Sequence, residues 1–382
     1  MACGVKNLEY DSGLLEDLNS IIPSPCRLIR RLQKPPDRLY IRVNTLKTGV
    51  QEYIDAARDR GYRLHRDDVI PEAVWAPVHG PYHIDDRYRK VVADKRAAEA
   101  VMMGSNLYAP GILYADNVSK GDRVTIVDPN GTPVAEGIAL MSWEEVKLKG
   151  RGKAVEVTKS IYKSIRVSEL PGYEEGLIYG QSWPSMHVAR ILDPGPRELI
   201  VDMNAAPGGK VSHIAQLAPD SRIIAVDRES KVGRLRATLN RLGIRNVEVV
   251  PGDSRSLTRI MPSLEGRVDA VIIDPPCTNL GVIPKIRDRK TLKDALTLSR
   301  YQRGFIREAY RLLRRGGRLV YSTCTLTTVE NELNVKYALD LGFELIQPPS
   351  WVSSEVKSGY GLRFYPHVHG VPGFFISILM KT

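Results

Sequence analysis

Cysteine is scarce in this chain of 382 residues: four occur, at Cys3, Cys26, Cys277 and Cys324, with no Cys-x-x-Cys pair and no Cys/His metal-ligand spacing. Neither a disulfide framework nor a zinc site is expected, and no metal centre is assigned. Long apolar runs are absent too; none approaches the roughly 20 residues that span a bilayer. The N-terminus lacks the basic, apolar and small-residue succession of a secretory signal. A soluble, cytoplasmic protein without membrane contact is therefore expected. Acidic residues are in deficit, 44 against 55 basic ones, and the formal charge of +11 suits a polyanionic partner. Length allows two or three domains with ample core.

What is present is organised around Leu199 to Lys210. A short apolar run ends at Asp202, the loop Met203-Asn204-Ala205-Ala206-Pro207-Gly208-Gly209-Lys210 follows, and Val211 to Leu217 reads as a helix. This predicts a buried parallel strand running into a ligand loop, placed where the crevice of an open α/β sheet lies. Paired glycines let the backbone approach a ligand closely. The loop is neither a P-loop nor Gly-x-Gly-x-x-Gly, so triphosphate and dinucleotide binding lose ground to another nucleoside cofactor.

Ala205-Ala206-Pro207-Gly208-Gly209-Lys210 resembles the first motif of the Sun-type RNA cytosine-5 methyltransferases, which bind S-adenosylmethionine. Asn204 stands where most of that family has Cys. Arg42-Val43-Asn44-Thr45-Leu46-Lys47 resembles the family's amino-terminal motif, and Arg363 to Leu379 its closing one. The resemblance implies a Rossmann-like methyltransferase sheet. It also implies that Gly180-Gln181-Ser182 packs beside the cofactor loop.

From the start of the chain, Ser12 is expected to cap a helix carrying Leu14, Leu15, Leu18, Ile21 and Ile22, ended by Pro23-Ser24-Pro25. Leu28, Ile29 and Leu32 alternate with Arg27, Arg30, Arg31 and Lys34 on a second helix. Its basic face either follows a phosphate backbone or is simply solvated. Leu39 to Thr45 has strand character and Gln51 to Arg60 helical character.

Asp94 can cap a helix through Ala97, Ala98, Val101 and Met102, with Gly104 as its stop. Strand-like runs follow at Gly111 to Tyr114, Asp122 to Val127, Thr132 to Met141 and Lys153 to Thr158, which predicts a compact small β-barrel. Ala109-Pro110-Gly111, Gly121-Asp122-Arg123-Val124 and Ala135-Glu136-Gly137-Ile138-Ala139 are similar to a PUA domain, an RNA-binding module. The division expected is an N-terminal α/β region over residues 1–89, the inserted barrel over 90–162 and the catalytic domain over 163–382. That arrangement resembles the tRNA-acting, PUA-bearing branch of the family.

Beyond the loop, apolar runs end in acids or thiols: Ile223 to Val226 in Asp227, Val247 to Val250 in Gly252-Asp253, Val268 to Ile273 in Asp274-Pro275-Pro276-Cys277, and Arg318 to Ser322 in Thr323-Cys324. Asp227 lies at the spacing that suits ribose hydroxyls, and the carboxylate of Asp253 can accept from an adenine amino group. Leu292 to Arg315 reads as a helix stopped by Gly316-Gly317. Thr327-Thr328-Val329-Glu330 has the capping-box pattern that opens a helix. Phe374 to Met380 reads as a terminal antiparallel strand. His367 and His369 lack a third ligand, so a structural role is favoured for them.

The resemblance implies that Asn204 to Lys210, Asp227, Asp253 and Asp274 hold S-adenosylmethionine. Cys324 resembles the family's nucleophile; Cys277 would assist release, while Asp274 and Lys210 act at the reacting centre. Carbon 5 of cytosine is a poor nucleophile until a thiolate adds to carbon 6, which explains the need for a cysteine. The expected enzyme is a monomeric tRNA cytosine-5 methyltransferase, with the acceptor stem and CCA end as partner and nucleotide 72 as target. Two other readings stay open. Asp274-Pro275-Pro276 also resembles the signature of exocyclic amino-group methyltransferases, and a catalytically silent, PUA-led tRNA-binding factor is the other.

Overall fold

Leu199–Asp202, buried along nearly its whole length, sits inside a nine-stranded sheet of the computed structural model, which describes residues 2–22 and 24–382. Its neighbours are Arg222–Asp227 on one side and Val268–Ile273 on the other, both parallel to it. Val247–Pro251 extends the first side and Leu313–Thr323 the second. Strand order thus reverses at Leu199–Asp202, and a ligand crevice is expected at the carboxyl ends of the central strands. Phe374–Lys381 then pairs antiparallel with Leu313–Thr323, as the sequence suggests.

Side chains alternate between two cores because strand periodicity is two. Ile200, Ile223, Ala225, Ala270 and Ile272 face the helices Trp183–Leu192, Gly209–Leu217 and Glu229–Leu242. Val201, Ile224, Val226, Val271 and Ile273 face Leu292–Leu312 and Glu332–Asp340. Coverage of both faces is why these strands read as unbroken apolar runs.

A second sheet, antiparallel and four-stranded, joins Arg38–Val43 and Ala73–Pro77 with His65–Arg66 and with Ile178–Gly180, which returns after the insertion. Val50–Asp59 packs on it through Tyr53, Ile54 and Ala57. The insertion forms a six-stranded sheet from Arg89–Ala93 to Lys153–Ser160, wrapped on a core that includes Val91, Val124, Ile126, Val134 and Val155. Register shifts in four of its pairings curl it toward a barrel. Asp94 caps the helix Lys95–Val101 by accepting from Ala97 N.

Several local expectations are corrected. The first helix is capped by Asp11, whose carboxylate accepts from Leu14 N, and Ser12 is already its first residue. It ends at Asn19; Pro23 lies outside the described residues, and Pro25 opens the next helix. Gly316 and Gly317 lie inside the Leu313–Thr323 strand, the long helix having ended at Leu312. The scarcity of cysteine argued against any disulfide, yet Cys3 and Cys26 are bonded, their Cα atoms 5.0 Å apart. No spacing motif announces such a pair, because the fold of the N-terminal turn onto the helix Pro25–Leu32 brings it together. No helix among the described residues is long and apolar enough to cross a membrane.

Candidate active site

The loop after Leu199–Asp202 is shaped by backbone geometry. Gly208 has φ +116°, and a Cβ there would meet the Thr238 side chain at 2.9 Å, so the loop lies close against the helix Glu229–Leu242. From behind, the buried guanidinium of Arg42 donates to Gln181 Oε1, to the carbonyl of Gly209 and to Ser212 Oγ, each at 2.7 Å. The Arg-Val-Asn-Thr-Leu-Lys segment thereby ties the second sheet to the loop. Next to it, the His213 ring faces the Glu72 carboxylate, which Arg190 also grips, its Nε at 2.9 Å. Burial pushes His213 down to about 4.

Two cavities flank the loop. One, of about 200 Å³, is lined by Tyr179, Gln181, Ser182, Asn204, Lys210 and Asp274 among others, so the glutamine-serine segment does stand beside the loop. The second, of about 130 Å³, is lined by Asn204, Asp227, Lys231, Asp253, Tyr301 and Phe305 among others. Asn204 borders both, and its Oδ1 and the neighbouring Asp202 Oδ2 are buried without a partner among the described residues. Unfilled acceptors beside a glycine cradle fit a ligand that brings an ammonium group. Burial pushes Asp202 up to about 7.

Asp227 accepts from Ala206 N at 2.9 Å and Arg228 N at 2.8 Å, so it fixes the loop as well as facing the second cavity. Asp253 is turned onto Arg255, whose Nη2 lies 2.5 Å away and whose guanidinium stacks 4.2 Å from the Tyr301 ring. Its carboxylate is held below the usual range by that contact.

At the far end of the first cavity, Lys210 Nζ lies 2.5 Å from Asp274 Oδ2. Burial opposes the ammonium, but the Asp274 carboxylate outweighs it, with smaller contributions from Asp202 and Cys324, and Lys210 stays above the ordinary lysine value. The two free thiols meet here: Cys277 Sγ and Cys324 Sγ are 3.3 Å apart, Cys277 buried and Cys324 partly exposed. Asn279, at φ +56°, places Oδ1 within 2.9 Å of the Cys324 sulfur and 3.3 Å of the Cys277 sulfur. The contact with Cys324 and then burial push the Cys277 thiol up.

Ten of the twelve residues assigned from sequence therefore line these two cavities or form the loop between them, and the other two, Cys277 and Cys324, face each other just past the strands Val268–Ile273 and Leu313–Thr323. Four that also shape the site were missed: Arg42 as the anchor, Tyr301 beside Asp253, Asn279 between the sulfurs, and Glu330. Arg42 and Glu330 stood inside patterns read for other reasons, the Arg-Val-Asn-Thr-Leu-Lys motif and the capping box, while Tyr301 and Asn279 left no signal. The capping box is corrected as well. Thr327 Oγ1 does accept from Glu330 N at 3.3 Å, but the Glu330 carboxylate turns to Thr278, and the helix begins at Glu332. Trp183 packs in the core against His187 and Phe364, with Nε1 donating to Asp67. His367 and His369 lie outside the crevice, and no group of three or more His, Cys, Asp or Glu among the described residues could hold a metal ion.

A doubly wound sheet with a glycine loop, acids at successive strand ends and an antiparallel last strand defines the class of Rossmann-like methyltransferases. Residues 189–380 match the family described as 16S rRNA methyltransferase RsmB/F, and residues 89–161 match the PUA domain. The chain is 43% identical over 366 residues to the tRNA (cytosine(72)-C(5))-methyltransferase of Pyrococcus horikoshii, covering 93% of this chain and 92% of that one. It is 30% identical to human tRNA (cytosine(72)-C(5))-methyltransferase NSUN6, over 82% of this chain and 74% of that one. Among solved structures, NSun6 from Pyrococcus horikoshii with SFG superposes with a TM-score of 0.87 at 40% identity, covering 97% of this chain and 98% of that chain. The chain belongs to the RsmB/F, Sun-type family of S-adenosylmethionine-dependent methyltransferases and carries a PUA domain.

Proposed function

We propose that this protein methylates carbon 5 of a cytosine at the acceptor end of tRNA, nucleotide 72, through a covalent cysteine adduct. The observation that carries the reading is the pair of thiols 3.3 Å apart at the ends of neighbouring strands, beside the Lys210–Asp274 ion pair. Relatives named for cytosine 72 of tRNA support the substrate, as does the charge of +11. So does a crevice of about 580 Å³ between the barrel and the second sheet, lined by Tyr62, Tyr82, Lys159, Lys163 and Arg166 among others. Cations for phosphates and tyrosines for bases are what a single-stranded RNA end needs.

The first cavity, with Asn204, Gln181 and the loop to Lys210, would hold the methionine end of S-adenosylmethionine, and the second, with Asp227 and Asp253, its nucleoside. Bound there, the cofactor supplies an electrophilic methyl group. The target cytosine leaves its stack, since its reactive carbons are otherwise covered. The Cys324 thiolate adds to carbon 6 while a proton passes from the Lys210 ammonium by way of Asp274 to N3, which neutralises the negative charge developing in the ring. Once carbon 5 carries the methyl group, Cys277 removes its proton. The carbon 5–carbon 6 double bond re-forms and the Cys324 sulfur leaves. As a thiol held above its ordinary value, Cys277 must give up its own proton before it can accept this one.

Bisulfite mapping of tRNA after incubation with cofactor tests the site of methylation. Cys324→Ala should abolish both turnover and any covalent RNA species. Cys277→Ala should accumulate a cofactor-dependent protein–RNA species that survives denaturing electrophoresis. Exchanged behaviour would place the nucleophile at Cys277. Full activity in both variants would point to an exocyclic amino group as acceptor, because that reaction needs no adduct.

A further inference from the structure

Glu330 is fully buried, and the chemistry above makes no use of it. Its carboxylate accepts from Thr278 N at 2.9 Å, Thr278 Oγ1 at 2.5 Å, Gln302 Nε2 at 3.0 Å and Thr327 Oγ1 at 3.0 Å. These four donors are neutral. A buried carboxylate in such company costs desolvation energy that a salt bridge would offset, so its place in the fold asks for a reason.

The reason lies in what its partners carry. Thr278 follows Cys277 directly, and its hydroxyl is 2.6 Å from that of Thr325, which follows Cys324. With Thr278 Oγ1 donating to Glu330, Thr325 Oγ1 donates to Thr278, and the two thiol loops are laced side by side. The next residue, Asn331, takes the other loop: its Oδ1 accepts from Thr323 Oγ1 at 2.6 Å and its Nδ2 donates to the Thr325 carbonyl at 3.2 Å. Glu332 leaves the site and pairs with Arg363, whose Nε is 2.6 Å away. Consecutive residues therefore grip different neighbours, and the backbone between Glu330 and Asn331 ties the grip on Cys277 to the grip on Cys324. Tyr321 and Asn334 close on the Glu330 carbonyl at 2.6 and 3.2 Å, which keeps this hinge from shifting.

We propose that Glu330 and Asn331 are positioning residues for the two sulfurs, Glu330 acting on Cys277 through Thr278 and Asn331 acting on Cys324 through Thr323 and Thr325. The proposal rests on the thiol roles given above. It follows that loss of Glu330 impairs the step that needs Cys277, release of the adduct, whereas loss of Asn331 impairs the step that needs Cys324, its formation.

The test is the fate of the adduct in Glu330→Gln, Thr278→Ala, Thr278→Ser and Asn331→Ala. Glu330→Gln presents an amide N–H to a pocket of donors, so one of the four is displaced, and misplacement on the ångström scale costs about a hundredfold. In Glu330→Gln and Thr278→Ala, kcat should fall roughly ten- to a hundredfold at unchanged KM for tRNA. A covalent protein–RNA species should persist through denaturation in both. Thr278→Ser restores the hydroxyl and should release adduct at close to the normal rate. Asn331→Ala should lose turnover without accumulating adduct. If Glu330→Gln does not fold, the Thr278 pair carries the same contrast. Lowered melting temperatures with a wild-type kcat and no retained adduct would reduce Glu330 to a scaffold residue and overturn the proposal. Cys277→Ala run alongside separates the failures. If it retains adduct where Glu330→Gln and Thr278→Ala do not, the positioning role is wrong and the thiol roles stand. If it retains none, the thiol roles fall and the positioning role falls with them.

Discussion

The two halves of the crevice are held in opposite ways. On the cofactor side a single local loop makes its own shape from small residues, and the rest of the protein supports it through the Arg42 guanidinium behind it and the Asp227 carboxylate at Ala206 N. On the thiol side two loops whose cysteines lie 47 residues apart have little shape of their own, and a buried net of hydroxyls, amides and one carboxylate registers them. A backbone cradle is made of main-chain atoms and tolerates different side chains. A side-chain net tolerates few changes, because each partner removed leaves another buried group unpaired.

Arg42→Ala should break the cofactor half most completely. It strips three neutral acceptors of a charged donor, and each buried acceptor left unpaired costs roughly 1–3 kcal/mol. The melting temperature should fall, and calorimetry should show S-adenosylmethionine affinity down by at least about tenfold. Alkylation of Cys324 by iodoacetamide should keep its wild-type rate; a changed rate would mean the halves are not separately held.

Asp227→Ala probes the same half more gently. Loss of a charge-assisted acceptor should weaken cofactor binding by about tenfold, with a smaller fall in melting temperature as Ala206 N loses its partner. Affinity within about twofold of wild type would remove Asp227 from the ribose.

The smallest effect is in pH dependence, and its sign differs between the halves. His213 behind the cofactor loop titrates near 4 when folded, against 6.5 ordinarily. The unfolded chain therefore binds more protons between those values, and stability declines as pH falls from about 6.5 toward 4. Burial raises Glu330 above the ordinary carboxylate value. There the folded state binds more protons, and stability declines as pH rises from the ordinary carboxylate value through the raised one. Denaturant midpoints measured against pH should lose part of the acid-side decline in His213→Gln and the opposing contribution in Glu330→Gln. Difference curves of the same sign would dissolve the contrast.

What the sequence discloses divides along the same line. Asp202, Asp227, Asp274 and Cys324 end or directly follow their strands as read, because a doubly covered parallel strand is an apolar run and its end is visible in composition. Helix and strand types in the insertion are legible for a similar reason, although Arg89–Ala93 and Leu107–Tyr108 were not recognised as strands: one is led by two cations and the other is two residues long. The Cys3–Cys26 bond, the anchor Arg42 and the turn of Glu330 toward Thr278 depend on partners 23 to 170 residues away. No local pattern carries that information. Glu330 misleads because its spacing from Thr327 satisfies a capping rule while its carboxylate finds better donors across the sheet.

The first helices have a consequence in time. Leu14, Leu18, Leu28 and Ile29 are buried against Leu280, Leu326 and Val329, just past the two cysteines, and Leu8–Tyr10 lies parallel to Asp288–Lys290. Contacts of such sequence separation form late, since the connecting chain must be closed first. During synthesis at about 5–20 residues per second, the opening segment waits on the order of 15–60 s for its partners to emerge. The Asp17 carboxylate then accepts from Thr328 N at 2.8 Å. Through that wait the loop for the cofactor can already be complete, while the ground under the two sulfurs is closed only when the first residues made return to the last ones.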